Sequence, residues 1–262
     1  KASYILGELK DINAHCDLED ERVKVYCQPV LNTRTNRFAS AEALMRLELP
    51  ETGMVYPDQF IPMAERHDYI HTLSKIILNK TCRQIKRLEQ EGYQIDRVSV
   101  NFSILEFRRK EFCKDVMDII RQNEIPYEKV AIELTESWNE TEFDNIKNTI
   151  TSLQKLGIKF YLDDFGTGYS NFERIIGLPI DVIKFDRSHL IILGGQNAES
   201  RYMVGSFSDI FKNSHYEILF EGVENEKDED QCKQMNALYL QGYKYSKPIP
   251  IEELTGFLGR AV

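Results

Sequence analysis

Lys159-Phe160-Tyr161-Leu162-Asp163-Asp164-Phe165 is a short apolar run ending on two adjacent carboxylates, and Gly166-Thr167-Gly168-Tyr169-Ser170 follows it. Side chains alternate between the two faces of a strand, so Phe160 and Leu162 share one face and Tyr161 and Asp163 the other. Two neighbouring carboxylates cannot both face one side of a regular strand. A turn or bulge has to re-aim Asp164, and Gly166 supplies conformational freedom for it. Gly-Thr-Gly alone is a weak phosphate-loop signal, because G-x-G-x-x-G would need a glycine where Asn171 stands.

The same alternation recurs on both sides of this stretch. In Val98–Ser103 the residues Val98, Val100 and Phe102 oppose Ser99, Asn101 and Ser103. In Val130–Glu136 the residues Val130, Ile132 and Leu134 oppose Ala131, Glu133 and Thr135. In Asp181–Arg187 the residues Ile183 and Phe185 oppose Lys184 and Asp186. Each strand thus has an apolar face for helices and a second face whose polar residues gather at the C-terminal end. Further strands are expected at Arg22–Asn32, Ala39–Leu47, Glu217–Glu224 and Ala237–Tyr243. Amphipathic helices are expected at Leu73–Gln90, Ile104–Gln122, Thr141–Leu156, Glu199–Phe211 and Lys227–Met235. Strands alternating with helices point to an α/β fold with a parallel sheet. Eight of them in about 250 residues suit a (β/α)8 barrel, with a doubly wound open sheet as the competing layout.

The 262 residues are 42% hydrophobic and 29% charged, an ordinary globular mixture. A net charge of −9 disfavours duplex nucleic acid or an anionic membrane held by bulk charge. An anionic substrate would need positive charge supplied locally. Five cysteines without a C-x-x-C pair read as reduced thiols. No apolar run reaches the ~18–20 residues of a spanning helix, and the N-terminus lacks a secretory layout, so a cytoplasmic location is expected. A cytoplasmic part of a membrane-anchored multidomain protein fits equally.

In strand order the polar candidates are Glu42, Asn101, Glu133, Asp163 with Asp164, Lys184 with Asp186, Glu221 and Gln241. One acidic residue in a strand is usually a solvated edge residue. Seven successive strands contributing a polar group at the same end is a different matter. Two unit charges ~4 Å apart repel by roughly 4 kcal/mol at an effective dielectric near 20. Some of the carboxyls are therefore protonated, or divalent cations sit among them. An oxygen-only donor set points to magnesium, manganese or calcium.

These residues carry a family resemblance. Glu42-Ala43-Leu44-Met45-Arg46, Phe60–Glu65 (FIPMAE), Val100–Ser103 (VNFS), Glu133–Ser137 (ELTES), Asp163–Ser170 (DDFGTGYS), Ile183–Ser188 (IKFDRS), Glu221–Glu224 (EGVE) and Gln241–Tyr243 (QGY) occur in order. The chain resembles the bacterial EAL-domain cyclic di-GMP phosphodiesterases. The likeness runs from about Val23 to Pro250, and the ordered set is specific where the tripeptide alone is not. It implies a modified (β/α)8 TIM-type barrel whose first strand is antiparallel. It implies hydrolysis of one phosphodiester of cyclic di-GMP to linear pGpG with two Mg2+ or Mn2+ ions, Ca2+ binding without supporting turnover. The ligands would be Glu42, Asn101, Glu133, Asp163 and Asp164, with Asp186 a further candidate. Glu221 would be the general base, with Lys184 near the attacking water. Gln28, Met45, Arg46, Gln241 and Glu224 would lie at the substrate, and Glu136 would anchor the following loop through Thr167 and Ser170. Departures from the pattern at Met45, Leu47, Phe220, Leu238, Leu240 and Lys247 touch no implied ligand.

Residues 1–22 read as a lead-in continuing from an upstream domain, and residues 23–262 as the phosphodiesterase domain. Fusion to a GGDEF or sensory domain and a homodimer are further implications of the resemblance. Three rivals stay open: a cyclic di-GMP-binding signalling module without turnover, an enolase-like barrel, and a nuclease for longer oligonucleotides. The second would want a Lys-x-Lys base where Glu42-Ala43-Leu44 stands, and the third a basic groove.

Overall fold

A computed structural model describes residues 1–135, 137–165, 177–186 and 198–260, apart from the side chains of residues 200, 201, 203, 204, 207 and 208. Glu136, Thr167 and Ser170, the three loop-anchoring candidates, lie outside the described residues.

Ten strands are present among the described residues: β1 Val23–Asn32, β2 Arg37–Leu49, β3 Gly53–Val55, β4 Arg97–Asn101, β5 Val130–Thr135, β6 Lys159–Asp163, β7 Val182–Phe185, β8 Glu217–Phe220, β9 Tyr239–Leu240 and β10 Ile249–Pro250. They follow the order β10-β1-β9-β8-β7-β6-β5-β4-β2-β3, and a further pairing of β1 with β2 closes eight of them into a barrel. β1 is antiparallel to both of its barrel neighbours. The other barrel pairs are parallel. The cause is local: β1 and β2 are joined by a few residues, which permits only an antiparallel return, whereas parallel neighbours need a helical crossover. β3 and β10 lie outside the barrel on the edges of this ribbon.

Seven α-helices accompany the strands among the described residues: α1 Ala2–His15, α2 Pro57–Arg66, α3 Ile70–Gln90, α4 Phe112–Gln122, α5 Phe143–Gln154, α6 Ala198–Lys212 and α7 Glu226–Gln234. The lead-in is therefore helical, and its Ile5, Leu9 and Ile12 join the main core. The expected helix Ile104–Gln122 is broken. Ser103 caps a 3-10 segment at Ile104–Arg108, with Glu106 closing the capping box, before α4 begins. The last strand is shorter than expected, two residues rather than seven.

The two faces of the barrel strands separate as their alternation dictates. Val98, Val100, Ile132, Phe160, Leu162, Ile183 and Phe220 lie in the large cluster that includes the buried helix residues. Val30, Ala131, Tyr161, Val182 and Leu219 form a small second cluster on the inner face. Arg97 donates to the Tyr161 hydroxyl at 3.0 Å from the same face. Inner-face residues further along the strands are polar, and they form the site.

Candidate active site

Lys184 is the centre of the site. Its side chain is fully buried, a state an ammonium rarely tolerates without partners. It donates to Glu133 at 2.9 and 3.1 Å. The Glu42 carboxylate lies 3.1 Å away and that of Glu221 3.6 Å away. Burial pulls the ammonium's pKa down, but Glu133, Glu42, Asp163 and Glu221 together hold it well above the ordinary lysine value, so it stays charged.

The acids around it differ in their surroundings. Burial raises Glu42, but Lys184 with the amides of Asn101 and Gln241 outweighs burial and keeps it below the usual glutamate range. Asn101 donates to one Glu42 oxygen at 3.0 Å and Gln241 to the other at 2.6 Å. Glu133 is pushed well up, by burial and then by Glu42. Ser99, on the same strand face as Asn101, donates to it at 2.7 Å. Burial raises Asp163 as well. Burial pushes Glu221 up to about 7 against the pull of Lys184, with Asp163, Glu42 and Asp164 adding to the rise.

Asp164 resolves the problem of adjacent carboxylates in its own backbone. Its φ is +53°, a left-handed conformation that aspartate tolerates better than most residues. Its amide N–H donates to the Asp163 carboxylate at 2.8 Å. The expected turn is thus taken at Asp164 itself, and Gly166 lies outside the described residues. Two carboxylate groups result, Glu42–Glu133–Asp163 and Asp163–Asp164–Glu221, with ligand oxygens within 4.8 Å of one another in each. Asp163 belongs to both.

The close of the barrel is a second tight feature. Gly222 follows Glu221 at φ +80°. A Cβ on Gly242 would stand 2.1 Å from the Val223 carbonyl oxygen, so only glycine lets the end of β9 approach Glu221's strand this closely.

The other candidates are placed as follows. Gln241 is buried and also donates to Gln28 at 2.9 Å, while Gln28 donates to the Ser246 carbonyl at 3.0 Å. The donor groups of both amides are therefore engaged with the protein, while the buried Gln241 Oε1 has no hydrogen-bond partner among the described residues. Met45 is buried in the helix-facing core and also lines the cavity. Glu224 is exposed and Asp186 half-buried. Arg46 is 9% exposed. The cavity above the acids has a volume of about 700 Å³. Glu42, Asn101, Glu133, Asp163 and Asp164 line one side, and apolar residues such as Leu44, Ile61 and Leu105 line the other. Sequence reasoning did not single out Ser99 or Glu65, which accepts from Ser103 at 2.7 Å beside the cavity. Ser99's position on the polar face of β4 was the available signal.

Comparison with known proteins agrees with this geometry. The family model of the EAL domain matches residues 12–248. Cyclic di-GMP phosphodiesterase PdeL of Escherichia coli K12 is 30% identical over 236 residues, covering 89% of this chain and 64% of PdeL. Signaling protein YkoW of Bacillus subtilis 168 is 28% identical over 241 residues, covering 92% of this chain and 30% of YkoW. The chain thus spans less than a third of the length of YkoW. A solved structure described as PaMucR phosphodiesterase in complex with c-di-GMP superposes with a TM-score of 0.83 at 26% identity, covering 94% of this chain and 99% of that one. The chain belongs to the EAL domain family.

Proposed function

We propose that this domain hydrolyses one phosphodiester of cyclic di-GMP to linear pGpG in a reaction that needs Mg2+ or Mn2+. The observation that carries the reading is the set of five carboxylates, Glu42, Glu133, Asp163, Asp164 and Glu221, gathered beside one ammonium among the described residues, that of Lys184. One positive charge leaves a large excess of negative charge in a buried place, and an oxygen-only donor set fits hard divalent cations.

Glu42, Asn101, Glu133 and Asp163 would hold one ion, and Asp163, Asp164 and Glu221 a second, with Asp186 a further candidate. When bound there, such ions supply Lewis acidity and offset charge on the phosphoryl oxygens. The chain's own groups do the rest. Glu221 takes a proton from the attacking water, a role open to a carboxylate standing beside Asp163 and Asp164 and 3.6 Å from Lys184. Lys184 keeps Glu42 ionised and holds both Glu42 and Glu133 in place. Arg46 receives a phosphate through its planar donors. The water oxygen bonds to phosphorus, the bond to the 3′ oxygen breaks, and that oxygen takes a proton from solvent and leaves as a hydroxyl.

Substrate selectivity is the test. Purified domain with Mn2+ should convert cyclic di-GMP to pGpG while leaving single-stranded oligonucleotides intact. Tight cyclic di-GMP binding with no product would instead make the domain a signalling module.

A further inference from the structure

Arg46 is a buried cation. Among the described residues it has no carboxylate within ion-pair distance. One guanidinium nitrogen donates to the Met45 carbonyl at 2.9 Å. Its other close neighbours are aromatic. The guanidinium carbon lies 5.5 Å from the ring centroid of Tyr26 and 5.4 Å from that of Tyr56, both inside the range of a cation–π attraction. Burial pulls its pKa down, as expected of a desolvated cation lacking a close counter-ion.

The three residues come from different elements. Tyr26 is on β1, opposite Leu44 in register, and Arg46 is on β2, opposite Lys24. Tyr56 is the N-cap of α2 and is 52% exposed. Arg46 stands four residues beyond Glu42, roughly 13 Å further along the strand at ~3.3 Å per residue. Met45, the residue before it, and Pro57, the residue after Tyr56, line the cavity. An arginine side chain there has many rotamers, and holding one of them is entropically costly. Two ring faces and the Met45 carbonyl restrict it while leaving its remaining N–H donors without a carboxylate partner.

We infer that Tyr26 and Tyr56 are positioning residues that hold the Arg46 guanidinium ready for a phosphate of the bound substrate. The inference rests on the proposed cyclic di-GMP reading. The rings act through their faces and not their hydroxyls. Desolvation strengthens the hold, and among the described residues no acid forms an ion pair with Arg46, Glu42 acting on it only at longer range. A carboxylate in place of either ring would hold Arg46 as firmly and cancel its charge. Because the grip is the same before and during reaction, its loss weakens binding and spares the chemical step.

The test is steady-state hydrolysis of cyclic di-GMP with Mn2+ by wild type, Tyr26→Leu, Tyr56→Leu and the two Phe variants, with thermal melting of each. Each Leu variant should raise KM about 3–10-fold with kcat within about twofold, in line with a desolvated cation–π contact. Each Phe variant should stay within about twofold of wild type, because the ring face remains. Tyr56 is half-exposed, so its variant tests the inference even if Tyr26→Leu fails to fold. Unchanged KM in Tyr56→Leu, or an equal loss in Tyr56→Phe, overturns the inference while the substrate reading stands. A wild type that neither binds nor cleaves cyclic di-GMP overturns both.

Discussion

Two buried cations stand in opposite circumstances. Lys184 has carboxylates of Glu42, Glu133 and Glu221 within 3.6 Å. Arg46, almost as buried, has ring faces and a carbonyl. A cation surrounded by acids is part of the scaffold that keeps those acids together. A cation surrounded by rings keeps its charge for something that arrives. The difference lies in the strands: Lys184 sits at the convergence of barrel strands, where each neighbour contributes an acid. Arg46 sits beyond that ring on the antiparallel ribbon, where the neighbours are tyrosines.

The sharpest way to break the Lys184 side is to alter an acid without altering shape. Glu221→Gln should retain cyclic di-GMP binding while turnover falls about 10²–10⁴-fold, the usual loss for a general base. Product formation and calorimetric binding on one preparation check this. Near-normal turnover would remove Glu221 from the mechanism.

Lys184→Met attacks the compensation itself. Removing one partner from a buried charge cluster typically costs about 3–5 kcal/mol. Melting of metal-free protein should fall accordingly, and added Mn2+ should raise the variant's melting temperature more than that of wild type. Equal metal-induced shifts would mean that Lys184 does not offset the carboxylates.

On the Arg46 side, Arg46→Lys keeps the charge and loses the planar fork and its stacking. KM for cyclic di-GMP should rise about 10–30-fold, and inorganic phosphate should inhibit the variant more weakly than wild type. An unchanged KM would show that a point charge suffices.

Glu229 on α7 sharpens the comparison from outside the cavity, being an anion with several donors. Lys233, Lys244 and Tyr245 all bond it, Lys233 and Tyr245 at 2.7 Å. Burial raises its pKa, but these donors outweigh burial and bring it down to about 2. A depressed carboxyl stabilises the fold above its unfolded-state value, near 4.3, and that contribution is lost as pH falls toward the folded value. Glu229→Gln should therefore cost about 1 kcal/mol at pH 7, and the gap to wild type in urea titrations should close between about pH 4.5 and pH 2. A gap independent of pH would mean that packing and not charge is lost.

The two cations were unequally legible in the sequence. Period-two alternation places Lys184, Glu133 and Asp163 on one face because a strand has only two faces, and the fold follows from repeating that pattern. Antiparallel β1 came from the family resemblance, since alternation is blind to strand direction. Contacts such as Gln28 with Gln241, 213 positions apart, depend on how the barrel closes. The left-handed Asp164 was legible only as a need for some turn, because residue type does not say which position takes the strain. Arg46's tyrosines were silent for the same reason: two rings on two elements other than its own leave no pattern along one strand.

The central claim is that the acids around Lys184 catalyse and do not merely bind. Purified domain should be incubated with cyclic di-GMP and Mn2+, with and without excess chelator, and the products separated by chromatography. The account predicts pGpG that accumulates with Mn2+ and disappears with chelator. Cyclic di-GMP recovered intact from a protein that binds it, or pGpG formed undiminished in chelator, would contradict it.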